Sequence, residues 1–137
     1  MRDVPPRMFT PDEANAELPR VRPLVERLVR LRAELLATRA GIAELAARVG
    51  GNGGGIPPER PRSLARRAAA AEEAIREALS ELGAIGVLVK DLDAGIVDFP
   101  SLRDGVPVLL CWHLGEDEVG HWHGVEDGFA GRQPLEP

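Results

Sequence analysis

VRPLVERLVRLRAELLATRAGIAELAARV, residues 21–49, places Val21, Leu24, Leu28, Leu31, Leu35, Ile42, Leu45 and Val49 at alternating steps of three and four, with Thr38 in the same series. Only an α-helix brings positions so spaced onto one face. The repeat is a heptad seam held for four heptads, which predicts a coiled-coil-like helix roughly 44 Å long. Val25, Val29 and Leu36 widen the stripe beyond a bare seam, so one partner helix would leave apolar surface wet.

Upstream, Thr10-Pro11-Asp12-Glu13 has the order of a capping box, with Pro at the first helical position. Pro19 disfavours helical geometry at Leu18 and Pro23 removes a further donor, so the spacing predicts a short opening segment over 11–18, then a kink or restart. Downstream, the Gly-rich run 50–58 ends the helix and returns the chain. Leu64, Ala68, Ala71, Ile75, Ala78, Leu82 and Ile85 then repeat the helical spacing. Residues 10–86 therefore read as a long antiparallel helical hairpin. Its surplus apolar stripe would be covered by the C-terminal part or by a second copy, and the pairing of two hairpins into a homodimeric four-helix bundle is the preferred expectation.

Beyond Gly86 the periodicity shortens to β-like runs at 85–89, 95–99, 106–114 and 118–125, with turns at Asp91-Leu92-Asp93-Ala94-Gly95 and Arg103-Asp104-Gly105. The class is α+β: a helical hairpin followed by a small antiparallel sheet, in one domain spanning 1–137. Residues 87–137 form an acidic β-rich head with an ordered tail lying over the sheet. Charge follows the same division. Residues 91–137 carry ten acids against two bases, and the first 90 carry 15 bases against 12 acids. Arg22, Arg27, Arg30, Arg32, Arg39 and Arg48 are interleaved with Glu26, Glu34 and Glu44, which argues against nucleic-acid binding. One cysteine excludes an intramolecular disulfide framework, no apolar run reaches the length of a membrane span, and the N-terminus lacks the order of a signal peptide, so a cytoplasmic protein is expected.

Few segments could carry chemistry. The glycine run lacks the preceding strand and following Lys-Ser or Lys-Thr of a phosphate loop. Asp91-Leu92-Asp93 starts like a calcium loop, but Leu102 stands where that loop needs its final Glu, so a tight acidic turn is expected. Cys111 lies in the apolar run Val108–Trp112, where burial raises a thiol pKa and works against a catalytic thiolate. All three His fall with Cys111 inside residues 111–123, the local density a metal site needs. A two-residue turn at Glu116-Asp117 would put His121 and His123 on one face and Cys111 and His113 on the other; an odd loop or a bulge would bring all four together. The alternative is structural: Trp112 and Trp122 pack, Cys111 is a small buried hydrophobe, and the His are polar edge positions. Arg132 suits a clamp on an anion, but in so acidic a region an internal salt bridge to Asp98, Glu116 or Asp127 is the expected use.

Phe9–Asn15, Val89-Lys90-Asp91 leading to Gly95-Ile96-Val97-Asp98-Phe99-Pro100, Leu110-Cys111-Trp112, Leu114-Gly115-Glu116, Trp122-His123 and Gly128–Pro134 together resemble an uncharacterised bacterial family of small cytosolic proteins known as a domain of unknown function. The resemblance spans nearly the whole chain and implies no activity. It does imply a place: its chemically useful residues are Lys90, Asp91, Asp98, Glu116, His123 and Arg132, while His113 and His121 stand outside the pattern. Two functions follow. The first is a dimeric interaction or scaffold protein without catalysis, joined through its helices and binding an unidentified protein partner. The alternative is a metal-binding protein or small metalloenzyme using His123 with Glu116 and Asp98 or Asp91, and with His121, to hold Zn²⁺, Mn²⁺ or Fe²⁺.

Overall fold

The computed structural model describes residues 7–51, 55, 57 and 59–136. Two helices, α1 (Pro11–Gly51) and α2 (Glu59–Ile85), pack as a hairpin; the five strands that follow are β1 (Leu88–Asp91), β2 (Ile96–Arg103), β3 (Val106–His113), β4 (His121–Gly124) and β5 (Gln133–Pro134). The strands form one antiparallel sheet in chain order, β1-β2-β3-β4-β5. The α+β class and the helix-then-sheet order agree with the sequence reading. Most of the glycine-rich run 50–58 lies outside the described residues, so the inter-helix loop expected there is not placed.

The capping box forms as expected: the Glu13 amide donates to Thr10 Oγ1 at 3.1 Å, and the Thr10 amide donates to Glu13 Oε1 at 2.9 Å. The restart expected after residue 18 does not occur. α1 is one continuous helix with Pro19 and Pro23 inside it. Each internal proline costs about 3 kcal/mol of helix propensity. Ala14, Leu18, Val21, Val25 and Leu28 are all buried on the same face, and their burial, at about 1.5–3 kcal/mol per large side chain, outweighs that loss.

The surplus apolar stripe of α1 meets the sheet of the same chain. Val21, Val25 and Leu28 share one core with Leu82 and Ile85 of α2 and with Val97, Phe99, Leu110 and Trp112 of β2 and β3. Of the stripe residues, Val25 and Val29 are met by the C-terminal part, while Leu36 stays exposed. Gly95, at φ +78°, marks the closest approach: a Cβ there would lie 2.9 Å from Leu114 and 3.2 Å from Val25 and Val29. The β2–β3 hairpin closes on Asp104 and Gly105, both at positive φ, the two-residue turn whose twist suits paired strands.

The tail is more ordered than a cover. A short 3-10 helix (Phe129–Gly131) leads into β5, which pairs with β4 through His121↔Pro134 and Trp122↔Gln133. The seven residues Leu114–Gly120 between β3 and β4 are pinned to α1. The Asn15 side chain accepts from the Val119 amide at 2.7 Å and donates to its carbonyl at 3.2 Å, and Arg22 donates to the carbonyls of Glu116 and Asp117.

Candidate metal centre on the outer face of the sheet

The register of β3 against β4 pairs Cys111 with His121 and Leu109 with His123. A two-residue turn at Glu116-Asp117 would have paired Leu110 with His123, so the observed register is shifted by one. The odd-loop alternative is the one realised. With a period of two along each strand, Cys111, His113, His121 and His123 all project from the face opposite Trp112. Asp98 of β2 pairs with Cys111 and joins that face.

On it, Asp98, Cys111 and His123 converge. One ligand atom from each lies within 4.8 Å of the others, and the three residues are 1%, 0% and 2% exposed. His123 Nε2 stands 3.2 Å and 3.1 Å from the two carboxylate oxygens of Asp98. Its Nδ1 lies 2.8 Å from the Gly124 carbonyl, which can only accept, so Nδ1 carries a proton and donates. Nε2, the other ring nitrogen, is the one that faces Asp98. Burial pushes the Cys111 thiol up to about 12, with the Asp98 charge acting in the same direction and Arg132 opposing it. At neutral pH the metal-free thiol stays protonated.

The remaining residues picked out from sequence divide around this trio. Lys90 and Asp91 line a pocket of about 240 Å³ whose walls also include Asp98, His123, Ile96, Leu109, Val125 and Phe129. Asp91 Oδ1 accepts from the amides of Asp93 and Ala94, at 2.8 and 2.9 Å, and so caps the β1–β2 turn as the acidic-turn reading expected. Glu116 and Arg132 sit apart and hold each other: Arg132 Nη2 lies 2.9 Å from both Glu116 oxygens, Glu116 Oε1 accepts from the His113 amide at 2.8 Å, and Arg132 lies over the Phe129 ring. Burial works to raise the Glu116 pKa, but the hydrogen bonds from Arg132 and the His113 amide, with the Arg132 charge, bring it below the ordinary value. This is the internal salt bridge expected of Arg132. It ties the tail to the β3–β4 connection.

The sequence-based ligand set of His123, His121, Glu116 and Asp98 is thus split in two. Asp98 and His123 meet, whereas His121 Nδ1 lies 3.8 Å from Glu116, in the Arg132 cluster. His113 stacks edge-on against Phe129 and joins neither group. Cys111 is the residue missing from that set. Its signal was the parity of the β3–β4 connection, which sequence left open between even and odd.

No curated protein and no solved structure matches the chain. A family model described as "Uncharacterized conserved protein (DUF2203)" matches residues 7–135, and the chain belongs to that family.

Proposed function

We propose that this is a metal-binding protein that holds one divalent transition metal between Asp98, Cys111 and His123. The observation that carries the reading is the convergence of a carboxylate, a thiol and an imidazole nitrogen within 4.8 Å of one another at full burial. Burying so much polarity is costly unless the groups satisfy one another or a cation. With metal–ligand bonds of about 2.0–2.1 Å, two light-atom ligands of a tetrahedral centre lie roughly 3.3 Å apart. The 3.1–3.2 Å between His123 Nε2 and the Asp98 oxygens is close to that edge. The donation from Nδ1 to Gly124 is the orienting contact that metal-bound histidines commonly make.

A thiolate in the set shifts the choice of metal. Zn²⁺ or Fe²⁺ suits a sulfur ligand better than Mn²⁺, which prefers oxygen donors. Three protein ligands leave a fourth position open, the arrangement of catalytic rather than purely structural zinc, and Lewis-acid or hydrolytic chemistry is the class it would support. The scaffold reading has less on its side. Most of the described seam that suggested a dimer is buried within one chain, with Ile42 of the seam and the neighbouring Leu36 exposed.

The test is metal content of protein purified without an affinity tag, by inductively coupled plasma mass spectrometry. Near one zinc or iron per chain is expected, lost in His123→Ala and Asp98→Ala, reduced in Cys111→Ser and retained in His121→Ala. Protein that is isolated metal-free, and whose melting temperature is the same with added zinc and with chelator, would overturn the proposal.

A further inference from the structure

The pocket that opens beside the trio has a chemistry of its own. Its volume of about 240 Å³ leaves room for a small molecule. Ile96, Leu109, Val125 and Phe129 give it apolar walls, while Asp98 and His123 bring it to the metal ligands. Lys90, the sole lysine of the chain, stands on the exposed edge strand β1 in the same lining. No ion pair joins it to a carboxylate among the described residues. Asp91 beside it is turned to the Asp93 and Ala94 amides.

Charge selects the ligand class. A divalent metal with one carboxylate and one thiolate is neutral; of the two other charged lining residues, Asp91 is engaged by the turn amides, which leaves the Lys90 ammonium to face an anionic group of a ligand. We infer that the pocket takes a small monocarboxylate whose anionic end pairs with Lys90, whose body lies on the Ile96–Leu109–Val125–Phe129 walls, and whose other end offers a nitrogen or oxygen donor to the open metal position. This rests on the metal reading above. Lys90 is then a specificity-determining residue, since a ligand lacking the carboxylate would leave its ammonium without a partner in the pocket.

The experiment uses cobalt-loaded full-length protein, whose visible bands report ligands entering the metal shell, with cobalt per chain measured on the same samples. The probes are imidazole-4-acetate and 4-methylimidazole, which share a metal-binding ring and differ in the carboxylate. In the wild type the acid should bind about tenfold or more tighter, and Lys90→Gln should remove that preference at unchanged cobalt content. Equal binding of the two probes, a preference that survives in Lys90→Gln, or bands that neither probe alters would overturn the inference while leaving the metal centre standing. A protein that retains no cobalt would bring down the metal reading and this inference with it.

Discussion

The two faces of the central strands each bury a cluster of side chains, and the two clusters are chemically opposite. On the helix side, Val97, Phe99, Leu110 and Trp112 are 0–1% exposed and interlock with α1 and α2. On the other side, one residue away along the same strands, Asp98 and Cys111 are as completely buried, next to His123. The first face supplies hydrophobic free energy; the second consumes it, because carboxylate, thiol and imidazole lose their hydration. A sheet of this size needs the first face to fold. The second it could have filled with aliphatic side chains, which is why its polarity points to a ligand.

The difference can be broken most severely from the helix side. Trp112→Ala removes the largest fully buried side chain and should cost about 3–5 kcal/mol in urea unfolding, with or without metal. A Trp112→Ala loss confined to the metal-loaded protein would mean that the two faces are one cooperative unit centred on the site.

From the outer side the effect should depend on metal. At zinc a hundredfold above its dissociation constant the wild type should gain about 2.7 kcal/mol over the chelated protein, and the double variant Asp98→Asn/His123→Gln should gain nothing while keeping its circular dichroism. A double variant that unfolds without any metal present would mark the pair as a purely structural contact. In chelated protein Cys111 should resist alkylation at pH 8 until the chain is unfolded, because burial holds the thiol protonated up to about 12. Rapid native labelling would show the face to be open.

A smaller effect is expected at the edge of that face. Glu116→Gln should cost about 1.5–2 kcal/mol by weakening the charged contact with Arg132. The sign with pH is set by the lowered Glu116 pKa: its contribution is present above the ordinary value of 4.5 and is lost as pH falls through the lower folded value. Stability of the wild type should therefore fall more steeply than that of Glu116→Gln below pH 4.5, and parallel acid limbs would remove Glu116 from that account. Smallest of all, Leu36→Glu and Ile42→Glu on the exposed side of α1 should change stability by less than about 0.5 kcal/mol and leave the mass in solution unaltered. A mass that halves on substitution would show a second copy covering those positions.

What could be read from sequence follows the same line. The heptad seam, the capping box and the Asp104-Gly105 turn are local patterns, and each was legible because spacing alone specifies it. Pro19 and Pro23 misled because a local penalty was outvoted by the burial of Val21, Val25 and Leu28 against strands about 70 or more residues away. At the site, Asp98 and His123 could be named, but their partner depended on whether the β3–β4 connection is even or odd. That parity is fixed by α1, through Asn15 on Val119 and Arg22 on the carbonyls of Glu116 and Asp117, which no pattern within the hairpin reveals.

The same connection sets how the chain tolerates change in length. Surface loops ordinarily absorb an insertion or deletion of one residue with little consequence. Between Leu114 and Gly120, with Val119 clamped by Asn15, a one-residue indel would act as a phase error. It would turn His123 towards the helices and Trp122 into the pocket unless a bulge took up the slip. Lengths that differ by two keep the phase, so viable length variants of this segment should come in steps of two.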